Sequence, residues 1–132
     1  MNAHDPVAEL AANAALPFDQ ARAMPKSVYT TQAFLDAEIS RVFAREWYCV
    51  GRASTLTEAG DYIAFELAGQ PLMVIKAKDG TVRCQSNVCL HRMSVLLEGR
   101  GNARLITCPY HGWTYEADGK LRGAPAMTAN TG

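Results

Sequence analysis

The sequence predicts a mostly β fold: a small antiparallel β-domain with two ligand-bearing loops, preceded by an N-terminal arm and helix. Three observations predict it. Short apolar runs alternate with Asp-Gly turn signals from about residue 46 onward. Helical spacing of apolar residues is confined to the segment before that point. The chain has 132 residues, 48% of them hydrophobic, which is enough for one ordinary core.

Residues 1–45 are predicted to form the arm and the helix. The lead is rich in alanine, and one short helix is expected at residues 6–15. A longer helix is expected from Thr31, because Thr30 or Thr31 can cap its first turn. The apolar residues that follow recur at helical spacing: Phe34, Leu35, Ile39, Val42, Phe43 and Trp47.

Residues 46–125 are predicted to form the β-domain. Strands are expected in the segments YIAFELA, PLMVIKA, TVRCQS and ARLITC, and a hairpin in WTYEADGKLRG. Asp79-Gly80 lies between the second and third of these strands and supplies a turn with positive φ. Residues 126–132 have no periodic pattern and are expected to begin a linker to a further domain.

Composition argues against several classes of partner and location. Thirteen basic residues balance thirteen acidic ones without a long run of either sign, so neither a nucleic acid nor a membrane surface is expected as a partner. The apolar runs are far shorter than the ~20 residues that cross a bilayer. The N-terminus lacks the basic region and unbroken apolar core of a secretory signal. A cytoplasmic location is therefore expected, with the four cysteines reduced.

Two mixed Cys/His pairs indicate a metal site. Cys89 and His91 are separated by one residue and Cys108 and His111 by two, and each pair follows a predicted strand. A lone cysteine or histidine is ordinarily a core residue, but two such pairs favour metal ligands. One interpretation is a tetrahedral zinc site, although zinc modules usually have wider spacing within a pair. The other is a [2Fe–2S] cluster in which one iron takes both cysteines and the other both histidines.

The segments that carry these pairs resemble a known family. CLHR at 89–92 and CPYHGWTY at 108–115 are similar to the C-x-H-R and C-P-Y-H-G/A-W motifs of Rieske domains. They look like the motifs of the α subunits of ring-hydroxylating (Rieske non-heme iron) oxygenases in particular, and the likeness extends over about residues 17–127. The resemblance implies a Rieske-type antiparallel β-sandwich with two cluster-binding loops.

The resemblance also implies a ligand set. Cys89 and Cys108 would ligate one iron of a Rieske [2Fe–2S] cluster, and His91 and His111 the other. The N-terminal arm and helix (1–45) would precede the Rieske domain (46–125), and residues 126–132 would lead to an absent catalytic domain.

The implied role is electron transfer within an oxygenase, such as an aromatic ring-hydroxylating dioxygenase. A ferredoxin or flavin reductase would donate electrons, and a mononuclear Fe(II) in the downstream domain would receive them. The family resemblance further implies a homotrimer, in some members with a β subunit. With His91 and His111 used, only His4 remains, so residues 1–132 alone lack the two-histidine-one-carboxylate site and no catalytic residue is expected in them.

Two alternatives remain at this point. A self-standing Rieske-type ferredoxin would carry electrons without a catalytic domain. The long N-terminal lead and the aperiodic ending of the sequence argue against it. The third interpretation is a structural zinc module.

Three details qualify the resemblance. Met93 stands where the family most often has a glycine, which would strain the first loop if that position needs positive φ. Cys49 and Cys84 fall in predicted strands and are expected to be buried apolar residues, not a loop disulfide. Tyr110 and Trp113 occupy places where cytochrome bc-type Rieske domains carry a cysteine and a hydroxyl. With fewer hydrogen-bond donors to the sulfurs, a reduction potential lower than that of the cytochrome bc-type clusters is expected.

Overall fold

The computed structural model describes residues 5–127 of the chain. It divides into two compact units, Met1–Cys49 and Val50–Gly132. The first unit is helical and the second is built of antiparallel sheets. The predicted mostly β fold with an N-terminal helical segment is therefore confirmed. His4 and most of the predicted linker at 126–132 lie outside the described residues.

The described part of the first unit contains a short 3-10 helix at Phe18–Gln20 and three short α-helices. These are α1 (Pro6–Ala14), α2 (Lys26–Thr30) and α3 (Gln32–Glu38), and α3 continues as a π-helical turn at Ile39–Phe43. Both predicted helices are present. Trp47 lies beyond the helical segment and is fully exposed, although its spacing had placed it on the helix.

The predicted capping hydrogen bond at the start of α3 does not form. Thr31 occupies the N-cap position, but its hydroxyl makes no capping bond. It donates instead to the carbonyl of Ser27 at 2.7 Å, and the Thr30 hydroxyl donates to the carbonyl of Lys26 at 3.1 Å. The last carbonyls of α2 and the first N–H groups of α3 both lack partners within their own helix. Because the two helices are only one residue apart, the same threonines can serve either end, and their hydroxyls bond the carbonyls of α2.

The second unit consists of two antiparallel sheets. The strands are β1 (Asp61–Leu67), β2 (Gln70–Lys76), β3 (Val82–Ser86), β4 (Arg100–Asn102), β5 (Ile106–Thr107), β6 (Thr114–Tyr115) and β7 (Leu121–Gly123). The first sheet has the order β3-β2-β1-β4 and the second has the order β5-β6-β7.

The turn residues explain why the hairpins form where they were predicted. Gly80, between β2 and β3, has φ +82°, and Gly119, between β6 and β7, has φ +90°. Only glycine enters this region without strain, so both Asp-Gly pairs act as turns. Strand β4 was not predicted, because its short Arg-Gly-Asn sequence carries no apolar alternation.

The core of the second unit is shared by both sheets and the two ligand-bearing loops. Its main cluster comprises Met73, Ile75, Ala77, Cys89, Leu96, Ile106, Cys108, Tyr115 and Ala117. A smaller cluster on the opposite face of β2 comprises Leu56, Ile63 and Val74. Because β2 is buried on both faces, the loop cysteines lie against the best-packed strand of the unit.

The two remaining cysteines differ from expectation. Cys84 lies in β3 as predicted but is exposed, because β3 is an edge strand and Cys84 belongs to neither buried cluster. Cys49 is also exposed and lies outside any strand. None of the four cysteines is in a disulfide.

The described residues, 5–127, contain no helix with the length and apolar character that a membrane span requires.

Candidate metal centre

The loops that carry the predicted ligands begin with the same backbone turn. In the first loop, Cys89 N–H donates to the Ser94 carbonyl at 2.8 Å, and Met93 N–H donates to the Cys89 carbonyl at 2.9 Å. In the second loop, Cys108 N–H donates to the Trp113 carbonyl at 2.7 Å, and the N–H four residues on donates back to Cys108 at 3.1 Å. Each cysteine is therefore held at the first position of one rigid turn.

The fifth residue of each turn has a left-handed backbone. Gly112 has φ +73° in the second loop and Met93 has φ +55° in the first. Met93 thus occupies a position that glycine fills in the equivalent turn. Its backbone carries strain on the order of 1 kcal/mol or more. The side chain is 68% exposed and recovers little of this cost by packing.

The two cysteines are buried side by side beneath the loops. Cys89 is 1% exposed and Cys108 is 3% exposed. Burial raises the pKa of the Cys89 thiol, but hydrogen bonds from the Tyr115 hydroxyl, the His91 backbone N–H and the Cys108 side chain outweigh it. The pKa of Cys89 therefore lies below its ordinary value. A lowered thiol pKa at a buried position suits a metal ligand, because the thiolate is the form that binds metal.

Tyr115 supports the first cysteine from strand β6. Its hydroxyl lies 3.2 Å from Cys89 Sγ and accepts a hydrogen bond from Leu90 N–H at 3.0 Å. Burial, together with the hydrogen bond to Cys89, raises the pKa of Tyr115, so the phenol stays protonated and can donate to the sulfur. No local sequence pattern indicates this bond, because Tyr115 and Cys89 are 26 positions apart.

The two imidazoles lie together at the exposed tips of the loops. The ring centroids of His91 and His111 are 4.7 Å apart, with the rings at 69° to each other. Trp113 stacks on His91 at 4.9 Å with an interplanar angle of 9°, and Tyr110 lies 3.8 Å from His111. An aromatic ring from the second loop thus orients a histidine of the first.

The four candidate ligands form two pairs instead of one convergent group. Within residues 5–127, no three His, Cys, Asp or Glu side chains meet where a single metal ion could be held. The sulfurs are paired in the core and the imidazoles are paired at the surface. In a His-and-Cys-ligated two-iron cluster, one iron takes both cysteines and the other both histidines, which matches this division of the donors. The donor set therefore fits a His-and-Cys-ligated [2Fe–2S] group.

Comparison with known proteins identifies the family. The family profile described as "Rieske [2Fe-2S] domain" matches residues 46–131, which is more than half of the chain. The chain belongs to this Rieske family. Membership favours the two-iron interpretation over the structural zinc module, in agreement with the paired donors.

Among its relatives, the Rieske chain is similar to subunits of oxygenases. It is 41% identical over 104 residues to the carnitine monooxygenase oxygenase subunit of Acinetobacter baumannii, an alignment that covers 78% of this chain and 28% of that protein. It is 36% identical over 99 residues to the biphenyl 2,3-dioxygenase subunit alpha of Rhodococcus jostii, covering 74% and 22%.

A solved structure gives the same likeness. It is a quaternary ammonium Rieske monooxygenase, described for carnitine oxidation by gut microbiota and for inter-subunit electron transfer. It matches with a TM-score of 0.74 and 41% identity over 77% of this chain and 28% of that one. The chain therefore spans between a fifth and a third of the length of these relatives, and it corresponds to the Rieske domain of such oxygenase α subunits.

Four arginines of the second unit lie outside the two Cys/His pairs: Arg83, Arg92, Arg100 and Arg104. Arg92, next to His91, is exposed. Arg83 is engaged by Asp79, with guanidinium nitrogens 2.9 and 3.1 Å from the carboxylate oxygens. Arg100 and Arg104 are exposed. These positions are ordinary for solvated charges and do not define the centre.

Proposed function

We propose that Cys89 and Cys108 ligate one iron of a Rieske [2Fe–2S] cluster and that His91 and His111 ligate the other. The single observation that carries this assignment is the pairing of two buried sulfurs with two exposed imidazoles in edge-to-face contact, on loops of the same turn type. When bound, such a cluster supplies one-electron transfer.

The role we propose is that of the electron-transfer domain of an oxygenase α subunit. The residues of this chain would hold the cysteine side in the core and present the histidine side to a redox partner. Buried sulfurs are shielded from water, and the exposed imidazoles give the shortest route to the surface. The acceptor would be a mononuclear non-heme iron in a downstream catalytic domain, and the donor a ferredoxin or flavin reductase.

The remaining assignments follow from the likeness to oxygenase subunits. We place the Rieske domain at residues 46–125, after an arm and helix at 1–45 and before a linker that begins at 126–132. The full protein is proposed to be a cytoplasmic homotrimer, with or without a β subunit. The relatives include a carnitine monooxygenase and a biphenyl dioxygenase, so the proposal concerns electron transfer and not a particular substrate.

Metal and sulfide analysis with electron paramagnetic resonance tests the cluster. Protein purified without air is expected to contain two irons and two acid-labile sulfides per chain. After reduction with dithionite, it should give a rhombic signal with an average g below the free-electron value. A silent sample with one zinc and no sulfide would overturn the assignment.

Single substitutions test the ligands. Cys89→Ser and His111→Ala are each expected to abolish the rhombic signal, because each removes one bond to iron. Cys84→Ser is the matched control, since Cys84 is an exposed thiol in β3 and is not among the proposed ligands. A Cys84→Ser protein that loses the cluster as completely as Cys89→Ser would contradict the assignment.

A further inference from the structure

Asn87 is the only buried residue with an amide or charged side chain among residues 5–127, with 2% of its surface exposed. It lies at the entrance of the first loop, two residues before Cys89. Burying an amide side chain costs free energy unless both its donor and its acceptor are satisfied. Its burial therefore depends on its partners.

The side-chain oxygen and nitrogen of Asn87 and its backbone N–H and C=O each have a hydrogen-bond partner. The side-chain Nδ2 donates to the Leu97 carbonyl at 2.7 Å, and Oδ1 accepts from Leu97 N–H at 3.0 Å. The backbone carbonyl accepts from Leu96 N–H at 3.0 Å, and the backbone N–H donates to the Pro71 carbonyl at 3.0 Å. One residue thus joins the start of the first loop, its end and strand β2.

The second loop is closed in another way. Its base is a strand pair in which Ile106 faces Tyr115 and Thr107 faces Thr114, directly before Cys108. The base of the first loop has only the isolated bridge between Val88 and Val95. There the Asn87 side-chain amide bonds both the N–H and the C=O of Leu97 on the opposite arm. In an antiparallel ladder, the backbone N–H and C=O of the directly opposite residue make this pair of bonds.

We propose that Asn87 is a positioning residue for the metal centre. Its side-chain amide replaces the missing rungs of the β-ladder and thereby fixes the arm that carries Cys89 and His91. The inference rests on the function proposed above, because Asn87 acts through ligands that it does not touch. An amide is required, since it supplies a donor and an acceptor on one planar group of the right length.

Hydrogen exchange measured by mass spectrometry on the cluster-loaded protein tests the positioning. Asn87→Ala leaves the N–H and C=O of Leu97 without partners. The backbone amides of residues 88–97 are then expected to exchange about tenfold faster, the factor that about 1.4 kcal/mol of local stability produces. Residues 105–114 of the second loop should change by less than about twofold, because strands β5 and β6 close that loop.

A second readout follows the metal itself. Iron release from Asn87→Ala to a chelator is expected to be about tenfold faster than from the unmodified protein, with a broadened electron paramagnetic resonance signal. The matched control is Asn102→Ala. Asn102 Nδ2 also makes two bonds, to the Ala59 carbonyl at 3.1 Å and to Asp61 Oδ1 at 2.8 Å, but it lies in β4. Asn102→Ala should leave iron release unchanged.

Three results would overturn the inference: unchanged exchange in the first loop, equal acceleration in both loops, or equal iron release from Asn102→Ala. If Asn87→Ala does not fold, the unmodified protein still gives a test. Its Leu97 amide is expected to exchange as slowly as the amides of the β5–β6 pair, because it donates to Asn87 Oδ1. If the unmodified protein holds no cluster, the proposed function fails. The contrast in exchange between the two loops, measured on the same protein without a cluster, then still tests whether the Asn87 amide closes the first loop.

Discussion

Replacing Met93 by glycine and by alanine separates backbone strain from side-chain contacts in the first loop. Both variants lose the methionine side chain, so the difference between them reports on the backbone alone. An L-residue in the left-handed region pays about 1–2 kcal/mol. Glycine instead pays about 0.5–1 kcal/mol more backbone entropy than alanine on folding. At φ +55°, Met93→Gly is therefore expected to be more stable than Met93→Ala by about 0.5–1 kcal/mol.

The equivalent turn of the second loop provides the reverse experiment. Gly112 has φ +73°, and a β-carbon added there would meet Pro125 Cγ at 3.8 Å, which is an ordinary contact. Gly112→Ala should consequently lose about 0.5–1 kcal/mol for conformational reasons only. The two experiments must give the same sign: glycine is favoured over alanine at both positions.

Thermal unfolding of the oxidised, cluster-loaded proteins, matched for iron content, measures the difference. For a domain of this size, the expected gap between Met93→Gly and Met93→Ala is about 2–4 °C in midpoint. An alanine variant at least as stable as the glycine variant would refute the assignment of a left-handed backbone at Met93. It would also refute the equivalence of the two turns.

Further predictions concern the support of the centre, acid stability and the core. Tyr115→Phe removes the donor to Cys89 and is expected to lower the reduction potential in a redox titration, because fewer donors leave the sulfur more electron-rich. Tyr62→Phe, which loses only a bond to a backbone carbonyl elsewhere, should leave the potential unchanged. Hydrogen bonds from Asn102 and from the backbone of residue 58 lower the pKa of Asp61 to about 2. The stability that Asp61 contributes is thus present above its unfolded pKa near 4 and is lost as the pH falls toward 2. Thermal midpoints of Asp61→Asn and the unmodified protein should accordingly differ at pH 6 and converge near pH 2. Ile75→Ala opens a cavity at a residue with no exposed surface and should cost about 2–5 kcal/mol in chemical unfolding, whereas a loss below about 1 kcal/mol would contradict the packing.

Much of the fold could be predicted because its signals are local. The alternation of β1 and β2 and the turns at Gly80 and Gly119 arise from neighbouring residues, and each element formed where the pattern placed it. Strand β4 could not be predicted. It pairs with β1, with Arg100 opposite Ile63, and only a long-range pairing makes its three residues a strand.

The burial of the cysteines shows a similar limit. Cys84 lies in the predicted strand, yet it is exposed because β3 is at the edge of its sheet. Cys89 and Cys108 are on loops, where exposure is the usual outcome, yet both are in the core. Exposure depends on which elements cover a residue, and the spacing of residues along the chain does not state this.

The sequence by itself determined the candidate ligands, their division into two Cys/His pairs and the turns that frame them, since all of these depend on residues within a few positions of one another. Only the tertiary structure decided that the sulfurs would be buried and the imidazoles exposed. Only the structure showed that the Tyr115 hydroxyl reaches Cys89 across 26 positions and that the Asn87 amide closes the first loop on Leu97. Hydrogen bonds of this kind require two distant segments to pack within about 3 Å, and that distance is set by the core as a whole.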